Sequence, residues 1–276
     1  MTTTTTAAHH DDAVRRFRDL HSTTRPLALA NAWDVAGARI VEAAGAPAVA
    51  TTSAGVAWSL GRPDGDALTR DEAMAAIARI VAAVDVPVTA DIEGGYGHDE
   101  AAVAETVRQV IAAGVVGVNI EDGARPPAEL AARLATARRT AAAEGVDLYL
   151  NARIDTYLFG LGAERDRLKE TQRRARAYVD AGADGIFVPG VVDLDVIAAL
   201  ADAIPVPLNV MAGPGAPSVA DLGRAGAARV SLGSAVAQAA YAAARRAAEE
   251  LLGSGTYEAV AGGIDFSDLN GLLHRK

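Results

Sequence analysis

The sequence predicts an α/β protein, a closed (β/α)8 barrel of the TIM type with an extra helical segment at its C-terminal end. Three observations carry this. Eight short apolar runs alternate with longer amphipathic stretches. A Gly marks the passage from helix to strand again and again. The 276 residues are about what one such barrel needs.

The runs are LALANAWD (27–34), AVATTS (48–53), PVTADIE (87–93), GVNIED (117–122), LYLNARID (148–155), GIFVPG (185–190), PLNVMAG (207–213) and RVSLGS (229–234). Each is short and rich in β-branched or aliphatic residues, as strands covered on both faces are. Between them RDEAMAAIARIVAAV, DEAAVAETVRQVIAAG and LKETQRRARAYVDAG repeat apolar residues at three- and four-residue spacing, the period of a helix with one buried face. The segments AAGAPAV, AAGVVGV, AAEGVDL, DAGADGI and RAGAARV place Gly where a helix must stop. An open doubly wound sheet is the rival arrangement. The boundaries expected are a disordered tail over 1–12, a barrel over 13–252, and a C-terminal tail over 253–276. That last tail carries Phe266, Leu269, Leu272 and Leu273, and either folds back or docks on a neighbour.

Composition narrows the function. The net charge is -9 with no Lys/Arg run, which argues against nucleic acid and anionic lipid as partners. No cysteine is present, so disulfides, thiolate metal sites and cysteine catalysis are excluded. No apolar run is long enough to span a membrane, and MTTTTTAAHHDD lacks the layout of a secretory signal, so a cytoplasmic protein is expected. His9 and His10 in that stretch read as solvated tail rather than metal ligands.

Parallel barrels carry their sites at the C-terminal strand ends. The third run ends in Asp91, Ile92, Glu93 and a Gly-rich loop. Strand alternation puts the two carboxylates on one face, where a cation or proton must lie between them; solvated loop acids are the alternative. The fourth run ends in Glu121 and Asp122, the latter better suited to a capping or structural role. Three acids at adjacent strand ends call for a hard divalent cation, Mg²⁺ or Mn²⁺. Arg153 ends the fifth run; it either holds a substrate carboxylate or pairs with Asp155 or Glu121. Thr51, Thr52, Ser53, Ala54 and Gly55 form either an anion-holding turn or an ordinary one, and Asp64 sits on the loop beyond as a catalytic or a turn residue.

With TTSAG, LGRPD, ADIEGGYG, VNIED and NARID in that order, the chain resembles the isocitrate lyase/phosphoenolpyruvate mutase superfamily from residue 31 to 234. The resemblance implies a (β/α)8 barrel that uses Mg²⁺ and acts on small 2-oxo or 2-hydroxy carboxylates through an enolate held on the metal. By position it implies Asp91 as direct metal ligand, with Glu93 (commonly Asp in the family) and Glu121 acting through water. It further implies Ser53, Ala54 and Gly55 as the carboxylate-holding turn, Arg153 at the substrate, Asp64 as an acid near the reacting group, and Asn209 as a polar substrate contact. Members are usually tetramers that exchange a C-terminal helix, so a homo-oligomer, dimer or tetramer, is expected.

Two departures matter. The Lys-Lys-Cys-Gly-His loop of isocitrate and methylisocitrate lyases is replaced by GARPPAEL, which also offers only Arg125 to a phosphoryl group. The reading is therefore a Mg²⁺-dependent carbon–carbon lyase or decarboxylase. The alternatives are phosphoenolpyruvate or phosphonopyruvate chemistry, and a carboxylate-binding barrel without turnover.

Overall fold

The computed structural model describes residues 3–21 and 25–274, with side chains from residue 10 onward. Helix α1 (Thr3–Asp19) precedes strands β1 (Leu27–Leu29) and β2 (Asn31–Ala32). Then come α2 (Val35–Ala43), β3 (Val49–Thr51), α3 (Ser53–Ser59), α4 (Arg70–Ala83), β4 (Val88–Asp91) and α5 (Glu100–Ala112). The middle holds β5 (Gly117–Glu121), α6 (Pro127–Ala143), β6 (Tyr149–Arg153), α7 (Glu164–Asp180) and β7 (Gly185–Val188). The last elements are α8 (Leu194–Ala203), β8 (Leu208–Met211), α9 (Val219–Arg224), β9 (Ala227–Ser231), α10 (Ala235–Gly253), a 3-10 turn (Glu258–Val260) and α11 (Phe266–Leu273).

All eight apolar runs contain strands, and every pairing is parallel. β1 and β2 are one strand interrupted at Ala30. Its first half pairs with β9 and its second with β3, which closes the ring. The open doubly wound sheet is thereby excluded. Each strand stops earlier than its apolar run, because the residues beyond turn away to build the loops of the C-terminal face. The Gly stops work as expected: Gly114 (φ 88°) and Gly182 (φ 104°) end α5 and α7 in the left-handed region.

The main core lies between sheet and helices, with Val118, Ile120, Leu150 and Ile186 of the strands against Leu134, Tyr178 and Leu200 of the helices. The inner face of the ring is different. Register sets Thr89, Gly117 and Tyr149 at one level and Asn119, Asn151 and Gly185 at the next. Barrel interiors are ordinarily filled by branched aliphatic residues; this one is largely polar.

Over residues 3–12 the expected disordered tail is corrected by α1, which is helical from Thr3 and packs against the start of the barrel strands, while residues 1 and 2 lie outside the described residues. Val14 and Phe17 are buried with Leu27, Leu29 and Tyr149, at about 1.5–3 kcal/mol for each side chain. His10 packs its Nε2 3.0 Å from the Val115 carbonyl, so it is not solvated; the His9 side chain lies outside the described residues. At the other terminus the chain folds back. α11 packs on α2, where Arg39 Nε donates to the Leu272 carbonyl at 2.8 Å. Leu252 (86 % exposed) and Phe266 (83 %) nonetheless face outward.

Candidate active site

The site is built at the C-terminal strand ends. β4 stops at Asp91, whose N–H donates to Thr51 Oγ1 at 2.9 Å and whose Oδ2 accepts from the Ser53 hydroxyl at 3.0 Å. Ser53 opens α3, so Ser53, Ala54 and Gly55 supply the first turn of that helix. Gly55 has to be Gly: a Cβ there would lie 2.7 Å from Trp33 Cβ.

Glu93 does not continue the strand. It stands at φ +50° in a turn closed by Gly95 N–H to the Ile92 carbonyl at 2.8 Å, so the expectation of two carboxylates on one strand face is corrected. The turn carries its carboxylate toward the Asp66 N–H, which donates to Oε2. Oε1 is buried with no protein partner among the described residues. Burial, opposed by that N–H and reinforced by Asp91, Asp66 and Asp64, pushes the Glu93 carboxyl up to about 7. Asp66, Glu93 and Tyr96 are the non-Gly residues of the described chain at positive φ, and they cluster here.

Glu121 and Arg153 end neighbouring strands in register. Arg153 Nη1 meets Glu121 Oε2 at 2.6 Å and its Nε donates to Asp155 at 2.8 Å. Both ion pairs weighed from sequence are therefore present, and Arg153 still faces the cavity. Burial raises the Glu121 carboxyl, with Asp91 and Asp155 adding to it and Arg153 opposing. Asp64 is raised too, by burial first and then by Asp91, with Arg153 opposing. Asp122 is structural: it is fully buried and takes Arg174 Nη1 at 2.8 Å and the Tyr178 hydroxyl at 2.7 Å.

A cavity of about 150 Å³ brings Ser53, Ala54, Asp64, Asp91 and Arg153 together. That is smaller than the ~300–1,000 Å³ of drug-sized ligand sites and suits a molecule of a few heavy atoms. Glu93, Glu121 and Gly55 are not among the residues that line it. Asn209 is not brought in. Its Oδ1 accepts from Asn151 at 3.1 Å and its Nδ2 donates to Val210 O at 2.9 Å, so it belongs to the lumen. Sequence reasoning missed Asn31, Asn119 and Ser231, which line the floor, and Leu158, Phe187, Pro189 and Met211, which make an apolar wall. A polar residue inside an apolar strand was a usable signal for the first three; the wall residues look like any core.

Among the described residues no three His, Asp or Glu side chains stand ready to hold a metal ion. The donor chemistry still fits a hard divalent cation bound directly by Asp91: buried carboxylates raise one another, and Glu93 Oε1 lacks a partner. A site in which the other acids act through water has no need of three carboxylates in contact.

The sequence model of the family described as phosphoenolpyruvate phosphomutase matches residues 17–252. The 2-methylisocitrate lyase of Escherichia coli K12 is 30 % identical over 206 residues, 70 % of this chain and 68 % of that protein. The chain belongs to the isocitrate lyase/phosphoenolpyruvate mutase superfamily. An uncharacterized protein of Mycobacterium tuberculosis is 42 % identical over 236 residues, 84 % of this chain and 87 % of its own. A solved structure from Burkholderia cenocepacia J2315, provisionally described as a lyase/mutase, superposes with a TM-score of 0.90 at 37 % identity, covering 97 % of this chain and 98 % of that one. No described helix is long and apolar enough to cross a membrane.

Proposed function

We propose that this superfamily member is a Mg²⁺-dependent carbon–carbon lyase or decarboxylase of a small 2-oxo or 2-hydroxy carboxylate, with Mn²⁺ as the alternative metal. The observation that carries the reading is the single small cavity lined at once by Asp91, Asp64, Ser53 and Arg153. Similarity to an oxaloacetate decarboxylase of Paraburkholderia xenovorans, 32 % identical over 205 residues, supports it. Asp91 would hold the cation, which when bound would supply Lewis-acid stabilisation of the negative charge that develops on the substrate.

The chain's own groups do the rest. Ser53, Ala54 and Gly55 hold one end of a substrate carboxylate, and Arg153 takes a second contact with the guanidinium N–H groups left free by Glu121 and Asp155. Glu121 and Asp155 fix that guanidinium in place. When the carbon–carbon bond of a 2-oxo acid breaks in a decarboxylation, CO2 leaves, the bond's electron pair stays on the remaining fragment as an enolate, and Asp64 gives the proton that the enolate carbon then takes up. Burial raises the pKa of Asp64, in the direction that favours the protonated acid. Phosphoryl transfer has less support, because Arg125, the lone cation of GARPPAEL, is held by Asp66 at 2.6 Å. A cytoplasmic homo-oligomer, dimer or tetramer, completes the reading.

The test is calorimetric titration of oxalate, which mimics the enolate of pyruvate, with and without Mg²⁺. Metal-dependent binding that Asp91→Ala abolishes is the expected result, followed by release of pyruvate or a related 2-oxo acid in a substrate screen. Inorganic phosphate released from phosphonopyruvate would favour the mutase or hydrolase reading. Oxalate binding without turnover of any 2-oxo acid would make the barrel a carboxylate sensor. No oxalate binding in either condition would sink the enolate site.

A further inference from the structure

A second charged feature lies in the barrel lumen, below the cavity and toward α1. Arg229 heads the large side chains that are fully buried. Its Nη2 reaches Asn119 Oδ1 only at 3.5 Å, the outer limit of a hydrogen bond. Its Nε and Nη1 are buried with no partner among the described residues. Among the described residues no carboxylate forms an ion pair with it.

Burial pulls its pKa down to about 10, which still leaves it charged at neutral pH. A buried charge without a counter-ion is costly enough that proteins pair it or neutralise it. Asp91 acts on Arg229 at longer range, but its Oδ2 is taken by Ser53, and a cation bound at Asp91 would cancel that charge. The Asn119–Asn151–Asn209 ladder contributes dipoles and no charge.

Two more polar atoms are left over nearby. Tyr149 Oη and Thr89 Oγ1 are buried and without partners among the described residues, and register sets them at one level of the lumen. Burial raises the Tyr149 phenol, so it stays protonated and donates. We propose that Arg229 Nε and Nη1, with the Tyr149 and Thr89 hydroxyls, hold one small monoanion of halide size inside the barrel.

The surroundings set the size. Gly117 lies at the same level, and a Cβ there would lie 3.0 Å from both Phe17 and Tyr149. A Cβ at Gly185, one level up, would strike Tyr149 Oη. Packing this close beside the Tyr149 hydroxyl argues for a single atom rather than a carboxylate as the occupant. His21 stacks on Tyr149 at 4.4 Å and forms part of the floor. Its Nδ1 lies 2.8 Å from the Phe17 carbonyl, as a donor, which leaves Nε2 as a lone pair and outside the donor set. None of Arg229, Tyr149 and Thr89 lines the substrate cavity.

The test uses the full chain moved into sodium gluconate, with chloride then titrated at constant ionic strength while thermal unfolding is followed. A specific ion raises the midpoint saturably, because it binds the folded state alone. Arg229→Met, which replaces the buried charge with an apolar chain of similar length, should lose that response. Tyr149→Phe should need about tenfold more chloride. Should Arg229→Met fail to fold, bromide-soaked crystals of the unaltered protein decide, through an anomalous peak against Arg229 Nε. Equal chloride responses in the unaltered protein and Arg229→Met would overturn the proposal. So would a flat response with no bromide peak, the result expected if water alone satisfies the guanidinium.

Discussion

Asp91 and Glu93 are two residues apart and hold their carboxylates in different ways: Asp91 accepts from the Ser53 hydroxyl and from the N–H groups of Ser53 and Glu93, whereas Glu93 accepts from the Asp66 N–H. Sequence shows the residue types and the spacing, but alternation holds only while the strand lasts. The left-handed turn at Glu93, which Gly94 and Gly95 permit, redirects the second acid. Asp91, Asp64, Ser53 and Arg153 were legible because each ends or follows an apolar run. Asn209 was misread because a polar residue on a strand can serve the lumen as well as the mouth. His21 carries a prediction at this scale. Burial and Arg229 push it down to about 3 from the usual 6.5. The unfolded chain therefore takes up a proton near pH 6.5 that the folded chain refuses until about 3. Its contribution to stability is complete above 6.5 and is lost as pH falls toward 3, at up to about 1.4 kcal/mol per pH unit. Denaturant midpoints at pH 7, 6 and 5 should fall more steeply for the unaltered protein than for His21→Phe; parallel slopes would show that His21 does not titrate this way.

Helices and strands were legible from period alone, and their ends were less so, because strand ends are set by loop contacts distant in sequence. The segment between α3 and α4 is an example. Asp66 of that segment holds Glu93 through its N–H and Arg125 through its carboxylate. Arg125 in turn lies over Gly94, where a Cβ would come within 2.7 Å of the guanidinium. Two loops that look unrelated in sequence are thus joined beside the acids. Arg125→Ala should speed amide exchange across 61–68 several-fold and leave β4 and β5 unchanged. An unaltered exchange rate there would mean that backbone contacts alone fix the segment.

For the whole molecule, closure of the ring was readable from eight alternating units, whereas the role of either terminus was not. α1 carries a polar, Thr-rich start that masks the buried Val14 and Phe17. The C-terminal segment leaves Leu252, Tyr257 and Phe266 exposed, an apolar set that one copy of the chain does not cover. A chain ending at Gly253 should contain fewer subunits per particle by light scattering than the full chain, once the mass of the removed residues is allowed for. An equal number of subunits would place the subunit contact elsewhere.

The interruption at Ala30 also has a kinetic meaning. Through it one strand must meet neighbours from both ends of the chain, and Leu27 pairs with Arg229 about 200 residues away. Most other strand pairs form between consecutive units, whose loop-closure entropy is far smaller. Assembly is thus expected to run around the ring and to seal this seam last. Weakening the seam would then speed unfolding and leave the folding rate nearly untouched. Leu29→Ala, at an expected cost of about 2–5 kcal/mol, should show its effect almost wholly in the unfolding limb of a chevron plot. A matching slowdown in folding would mean that the two ends of the chain find each other early.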